Sequence, residues 1–324
     1  MIISKTPFRI SFFGGGTDFP LWYEANGGAV LSTSIDKYCY LSCRDLPPFF
    51  DNKYRVVYSD IELTQSVSEI KHPVVRACLD YLGFENRGVE VIHYADLPAR
   101  TGIGSSSSFT VGLLNALHAL KGKNIPKEML GKAAIFVEQN LLHESVGSQD
   151  QMAAACGGLN EIRFSADSIS VLPLEISEDR RLELERSLIL LYTGVSRFSS
   201  EIAQAHIQNI PNKEAELRLM TQMVDEAKKI LSSSTPISEF GKLLHEAWII
   251  KSRFSQKVST NLVDEIYKVA LDLGTDGGKL LGAGGGGFVL LSARPELHSK
   301  ILSTLSRYLH VPFRFESEGT SLIS

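Results

Sequence analysis

An acid placed among apolar residues is expensive to bury unless a cation or hydrogen bonds compensate it. This chain places one at Glu138, within Ala134-Ile-Phe-Val-Glu-Gln-Asn140. A second acid, Asp150, stands in Glu144-Ser-Val-Gly-Ser-Gln-Asp-Gln-Met-Ala153, where a glycine turn leads into small residues of helical character. There it can cap the helix or orient and accept a proton. Upstream lies the run Leu97-Pro-Ala-Arg-Thr-Gly-Ile-Gly-Ser-Ser-Ser-Ser108, between a predicted strand and a predicted helix. Its glycines, Gly102 and Gly104, let a backbone approach a polyphosphate, while Ser105 to Ser108 supply hydroxyls and exposed amides at a helix start. No lysine follows in the GxxxxGK[ST] pattern, which excludes a Walker loop. The third glycine and later acid of a dinucleotide fingerprint are missing too. Near the N-terminus, Arg9 precedes a triple glycine and Asp18, and one carboxylate can accept two hydroxyls of a polyol.

Three segments in this order resemble the galactokinase, homoserine kinase, mevalonate kinase and phosphomevalonate kinase (GHMP) superfamily. LPARTGIGSSSS is similar to its PxxxGLGSSAA phosphate motif, Thr6-Pro-Phe-Arg-Ile-Ser-Phe-Phe-Gly-Gly-Gly-Thr-Asp18 to the PGRVNLIGEHTDY sugar motif of galactokinases, and Gly278-Lys-Leu-Leu-Gly-Ala-Gly-Gly-Gly-Gly-Phe288 to its third, glycine-rich motif. The resemblance spans nearly the whole chain. It implies an α+β fold, with a ribosomal-protein-S5-like domain packed on a ferredoxin-like one, and phosphoryl transfer from ATP with Mg²⁺. It also implies site residues. Arg100, Thr101, Gly102, Ile103, Gly104 and Ser105 to Ser108 would bind ATP, and Glu138 and Ser106 would hold Mg²⁺. Asp150 and Arg9 would be catalytic, and Gly15, Gly16, Thr17, Asp18, Gly284 and Gly285 would join them around the acceptor.

The Glu-His pair of GEHTDY is replaced here by Gly15-Gly16, which argues against galactose. FGGGTDFPLWY, LYTGVSRFSSEIA and GGKLLGAGGGGF resemble the D-glycero-D-manno-heptose 7-phosphate kinase branch, whose relatives include fucokinase-type domains. That resemblance implies phosphorylation of the anomeric hydroxyl of a sugar phosphate. Lys279, Arg197 and Lys251 are candidates for the substrate's own phosphate, having cationic heads that suit it. Trp248 reads as core packing in an amphipathic helix. A kinase for another sugar such as fucose, or a sugar- and ATP-binding sensor that no longer turns over, stay open as alternatives.

These residues must be positioned by a scaffold with few regular alternations. The first 95 residues read mainly as strands (2–13, 29–43, 53–59 and 89–94), implying a mixed sheet. Helical spacing follows over 105–120, 126–142 and 148–156, then a hairpin-like stretch at 160–173 and a buried strand at 187–192. Helices are predicted over 199–208, 213–231, 237–254 and 261–273, with late strands at 287–291 and 312–316. The charged run Ser177-Glu-Asp-Arg-Arg-Leu-Glu-Leu-Glu185 suggests a boundary near 180, giving an N-terminal half 1–180 with the ATP loop and a C-terminal half 181–324. Early strands without a βαβ unit argue against a dinucleotide-dependent oxidoreductase.

Composition sets the outer limits. With 324 residues and 44% hydrophobic content the chain can bury a sizeable core, and a net charge of -4 leaves no basic footprint for nucleic acid or an anionic membrane. No apolar run reaches the roughly 20 residues of a membrane span and the N-terminus lacks a signal-peptide pattern, so a cytoplasmic monomer or homodimer is expected. Cys39, Cys43, Cys78 and Cys156 lack metal-site spacing and read as reduced thiols.

Overall fold

Strands β1 (Ile2–Phe13) and β2 (Gly28–Asp45) pair antiparallel along β1, from Ile2 opposite Cys43 to Phe13 opposite Leu31. Aromatic and β-branched side chains suit a pleated surface covered on one side, and Phe8, Ile10, Phe12, Leu31, Ile35 and Leu41 are all buried there. The computed structural model describes residues 1–195, 210–254 and 258–323. It extends this pair with β3 (Tyr54–Val57), β4 (Ile61–Thr64), β5 (Val89–Ala95), β6 (Leu159–Phe164) and β7 (Ile169–Pro173). Two strands arrive from the far end of the chain, β12 (Phe315–Glu316) on β2 and β13 (Ser321–Ile323) on β1. The central order is β13-β1-β2-β5-β3-β4, with β3 and β5 parallel.

A four-stranded antiparallel sheet is built from β8 (Leu188–Tyr192), β9 (Gly277–Leu280), β10 (Phe288–Ser292) and β11 (Leu309–His310), in the order β11-β8-β10-β9. Helices α7 (Glu214–Leu231), α8 (Ile237–Ser252), α9 (Asn261–Asp272) and α10 (Pro295–Thr304) belong to this later part of the chain. The two sheets share packing. Phe12 and Phe13 of β1 meet Phe240 of α8 edge-on, with ring centroids 5.3 and 5.1 Å apart. Trp248 is buried beside Tyr267 and packs in the core.

Several elements differ from the sequence expectation. Helices α1 (Pro20–Asn26) and α2 (Pro73–Tyr81) interrupt the region expected to be mainly strands. Each starts on a proline, and α2 buries Val74, Val75, Cys78 and Leu79, a helical stripe too short to stand out. The charged run near 180 is helix α6 (Glu178–Arg186), capped by the Ser177 hydroxyl and laced by Arg180–Glu183 and Arg181–Glu178 pairs. The expected helix 126–142 is α4 (Lys127–Phe136) continued by one wide π turn over Val137–Leu141. The helix expected over 199–208 lies outside the described residues. Helix α3 (Ser105–Leu120) is buried from Ser107 to Leu117, and α5 (Gln149–Cys156) follows the π turn after a short loop. Cys39, Cys43 and Cys78 are buried, and all four cysteines are free.

Candidate active site

Arg9 is on β1 and buried, so its guanidinium needs partners. Asp150, in the first turn of α5, supplies both oxygens: Nε donates to Oδ1 at 2.8 Å and Nη2 to Oδ2 at 2.7 Å. The third direction of the fork, Nη1, donates to the carbonyl of Gly102 at 2.6 Å, and the Arg9 amide donates to that of Ile103 at 3.0 Å. One side chain thus fixes the glycine loop relative to the acid. Gly104 caps α3 in the left-handed region, and a Cβ there would lie 3.2 Å from Arg9 Cγ and 3.5 Å from Asp150 Oδ2.

Residues 149 to 151 fan out around a helical turn, about 100° apart, and each reaches a different charged group. Gln149 Nε2 donates to Asp18 Oδ2 at 3.0 Å, Asp150 takes Arg9, and Gln151 Nε2 donates to Glu138 Oε2 at 2.6 Å. Asp18 is buried and also accepts from the Gly16 amide at 2.9 Å. Burial, and then the negative charge of Asp150, raise its pKa above the ordinary aspartate value, so the two acids flank a common space. Gly147 backs Asp18 closely. A Cβ at 147 would fall 1.9 Å from Asp18 Oδ2.

Glu138 sits in the π turn that widens the helix, a local form frequent at functional positions. It is wholly buried without a basic partner among the described residues. Oε2 takes the Ser107 hydroxyl at 3.0 Å besides Gln151, while Oε1 has no hydrogen-bond partner. Burial pushes this carboxyl up to about 7, against the Gln151 and Ser107 hydrogen bonds that lower it. An orphaned buried carboxylate oxygen beside a phosphate loop fits a divalent cation. The described residues contain no cluster of three or more acidic, histidine or cysteine ligands. Ser107 is the hydroxyl on Glu138, whereas Ser106 is exposed one position earlier.

The other expected residues divide into two groups. Arg100, Ser105 and Ser106 lie towards solvent on the loop, with the Arg100 amide donating to Ser105 Oγ at 3.1 Å. Ile103 is in the core, Thr101 donates to the Pro98 carbonyl and Ser108 to that of Pro7, so these three side chains hold the loop rather than face outward. Thr17 likewise bonds the carbonyls of Gly14 and Ala29, which corrects the expectation that its hydroxyl faces an acceptor. Gly15 opens onto free space, with nothing within 4 Å of the position that a Cβ would take. Gly284 and Gly285 pack against Val258, with the Gly285 amide donating to its carbonyl at 2.9 Å. Next to them, a Cβ at Gly282 would fall 2.3 Å from the Gly102 Cα, which presses this second glycine loop backbone-to-backbone on the first.

Lys279 and Lys251 are brought near Arg9, and Arg197 lies outside the described residues. Lys279 Nζ donates to the Phe12 carbonyl at 2.7 Å, and Lys251 Nζ to those of Leu280, at 3.2 Å, and Gly282. The residues that sequence reasoning missed here are Gly147, Gln149 and Gln151, and Ser107, expected on ATP, is the serine that bonds Glu138. The only signal was the pair of glutamines flanking Asp150.

The loop, the buried acid beside it and the Arg9–Asp150 fork form a candidate phosphotransferase centre. Residues 69–158, which hold the loop and α3 to α5, match the family described as GHMP kinases N terminal domain. The chain thus carries a GHMP kinase N-terminal domain and is a phosphotransferase acting on an alcohol group, of a class that takes its phosphoryl group from ATP. It is similar along its length to a D-glycero-alpha-D-manno-heptose 7-phosphate kinase of Campylobacter jejuni, with 29% identity over 333 residues, 98% of this chain and 97% of that protein. A bifunctional fucokinase/GDP-fucose pyrophosphorylase of Arabidopsis thaliana is 23% identical over 92% of this chain, which spans 30% of that longer protein. In fold, the crystal structure of a D-glycero-D-manno-heptose 1-phosphate kinase from Bacteriodes thetaiotaomicron matches with a TM-score of 0.80 and 23% identity, covering 100% of this chain and 99% of that one. No helix among the described residues is long and apolar enough to cross a membrane.

Proposed function

We propose that this kinase transfers the γ-phosphoryl group of MgATP to the anomeric C1 hydroxyl of D-glycero-D-manno-heptose 7-phosphate, giving the 1,7-bisphosphate. The observation that carries a kinase centre is the Arg9–Asp150 fork locked onto the Gly102 carbonyl, because it sets an acid and a cation directly against a phosphate loop. In the transfer, the sugar oxygen forms a bond to the γ-phosphorus as the bond to the β-bridging oxygen breaks, and ADP leaves. Asp150 orients the attacking hydroxyl and takes up its proton, and Arg9 balances the charge that builds up on the moving group. Asp18 holds sugar hydroxyls, with Gln149 and Gly16 keeping its carboxylate aimed. The loop amides from Thr101 to Ser106 cradle the phosphates. Glu138, with a serine of the α3 first turn, would hold Mg²⁺, which neutralises phosphate charge when bound. The half 1–180, joined by β12 and β13 from the end of the chain, carries the nucleotide loop, and the glycine loop of the half 181–324 packs on it.

The heptose assignment draws on the full-length similarity to the Campylobacter jejuni enzyme and on the open space at Gly15, which leaves room beside Asp18 for an acceptor larger than a hexose. Similarity to the Arabidopsis thaliana protein supports fucose as the second reading. A non-catalytic sensor is disfavoured because acid, cation, loop and buried carboxylate are all in place. The test is ADP release from MgATP with heptose 7-phosphate, fucose, mannose and galactose in parallel, with phosphorus NMR of the product. A new anomeric phosphate on the heptose alone is the expected outcome. Turnover only with fucose would move the assignment to the second reading, and no turnover with any sugar would overturn both.

A further inference from the structure

Lys279 lies on β9 with only 3% of its surface exposed, and Lys251 lies at the end of α8. Both ammonium groups bond main-chain carbonyls, and neither takes part in an ion pair among the described residues. An ammonium has three N–H donors, so the carbonyls of Leu280 and Gly282 leave Lys251 one and the carbonyl of Phe12 leaves Lys279 two. Arg9 is the third cation of this cluster, and its charge is already met by Asp150. Buried cations without a counter-charge are costly, and removing water from them strengthens their repulsion. Charging both lysines at neutral pH therefore calls for a negative group beyond Asp18, which a ligand can bring.

We propose that Lys251 and Lys279 form a phosphate-binding pocket beside the reacting centre, completed by a phosphate group that the bound ligand carries. The inference deepens the kinase reading and rests on it for the nature of the ligands. Two sources share this chemistry, the acceptor's own phosphate and the phosphoryl group in transfer. Filling the pocket also changes its protonation. Without ligand, burial and then the charge of Arg9 hold Lys251 down to about 7, with Asp18 the opposing influence. Burial, Lys251 and Arg9 hold Lys279 well below the ordinary lysine range. The groups facing the pair are thus Arg9 from β1 and Asp18 from the loop that follows it. A phosphate dianion favours both charged forms, so binding at a pH above 7 takes up protons.

Isothermal titration calorimetry at pH 8, in buffers of differing ionisation enthalpy, measures that uptake. The ligands are heptose 7-phosphate, the same heptose without phosphate, inorganic phosphate and a non-hydrolysable ATP analogue. The wild type is expected to take up about one proton or more with a phosphate ligand and none with the bare sugar. Lys251→Arg, charged at every pH, should retain binding within a few-fold yet take up about one proton fewer. Lys251→Met should weaken the phosphate ligand about 10- to 100-fold. Uptake with the acceptor alone, or with the ATP analogue alone, identifies the source. Equal uptake in wild type and Lys251→Arg, or none with any phosphate ligand, would overturn the pocket even if heptose turnover stands. Lysine-dependent uptake with inorganic phosphate, without heptose turnover, would keep the pocket and overturn the acceptor assignment.

Discussion

Asp150, at the centre of the Gln149-Asp150-Gln151 triplet, and Glu138, bonded by its last residue, are carboxylates that the protein treats in opposite ways. On the acceptor side, Asp150 has a fixed cation, bound through both its oxygens. On the nucleotide side, Glu138 has only a hydroxyl and an amide and keeps one oxygen bare. The difference teaches where charge must already be in place and where it can arrive with a ligand. An acid that handles a substrate proton must keep one orientation through the whole cycle. An acid that meets a cation carried in with ATP can wait in protonated form, which avoids burying an uncompensated charge.

Breaking the acceptor side should give the largest effect. Asp150→Ala should lower turnover by about 10²- to 10⁴-fold while ATP affinity, measured by equilibrium binding, stays nearly unchanged. Turnover close to wild type in that variant would remove Asp150 from the chemistry. The other side of the comparison is read by pH. The folded Glu138 carboxyl keeps its proton to about 7, whereas an ordinary glutamate loses it at 4.5. Its contribution to stability is therefore full below about pH 4.5 and is lost as the pH rises through 7, a change on the order of 3 kcal/mol. In denaturant titrations without nucleotide or divalent metal, Glu138→Gln should remove that part of the slope. An unchanged slope would show that Glu138 is ionised in the free protein.

Gly147→Ala sharpens the contrast on the acceptor side alone. Its Cβ must displace the Asp18 carboxylate, so kcat/KM for the sugar should fall about 100-fold with the KM for ATP little changed. The smallest effect belongs to Gly15→Ala. With free space and no left-handed backbone at this position, stability should stay within about 0.5 kcal/mol. One methyl in the acceptor's space should still lower kcat/KM about 10-fold for the heptose phosphate. A similar loss for every sugar tested would mean that the methyl disturbs Asp18 rather than the larger acceptor.

Much of this was legible in the residues. The strand pair 2–13 and 28–45, helix α3 and helices α7 to α9 follow from runs long enough for period and propensity to dominate. Short or charged elements escaped for the opposite reason. Helix α2 has too few turns to show its stripe, α6 is held by ion pairs on an almost wholly polar sequence, and β9 is glycine-rich because it meets α8 closely, which a Cβ at Gly277 would prevent.

The sequence by itself determined the chemical types, namely a glycine-serine loop, two acids and an arginine in spacings that allow phosphoryl transfer. Only the tertiary structure decided their partners. It gave both Asp150 oxygens to Arg9, put Ser107 rather than Ser106 on Glu138, turned Thr17 and Ser108 into the scaffold and brought two lysines near Arg9 with main-chain carbonyls as their bonded partners. Those outcomes depend on contacts between residues as much as 267 positions apart, as in the bond from Lys279 to Phe12. Local pattern carries no record of such contacts, because burial and charge compensation are settled only when distant strands and helices close on one another.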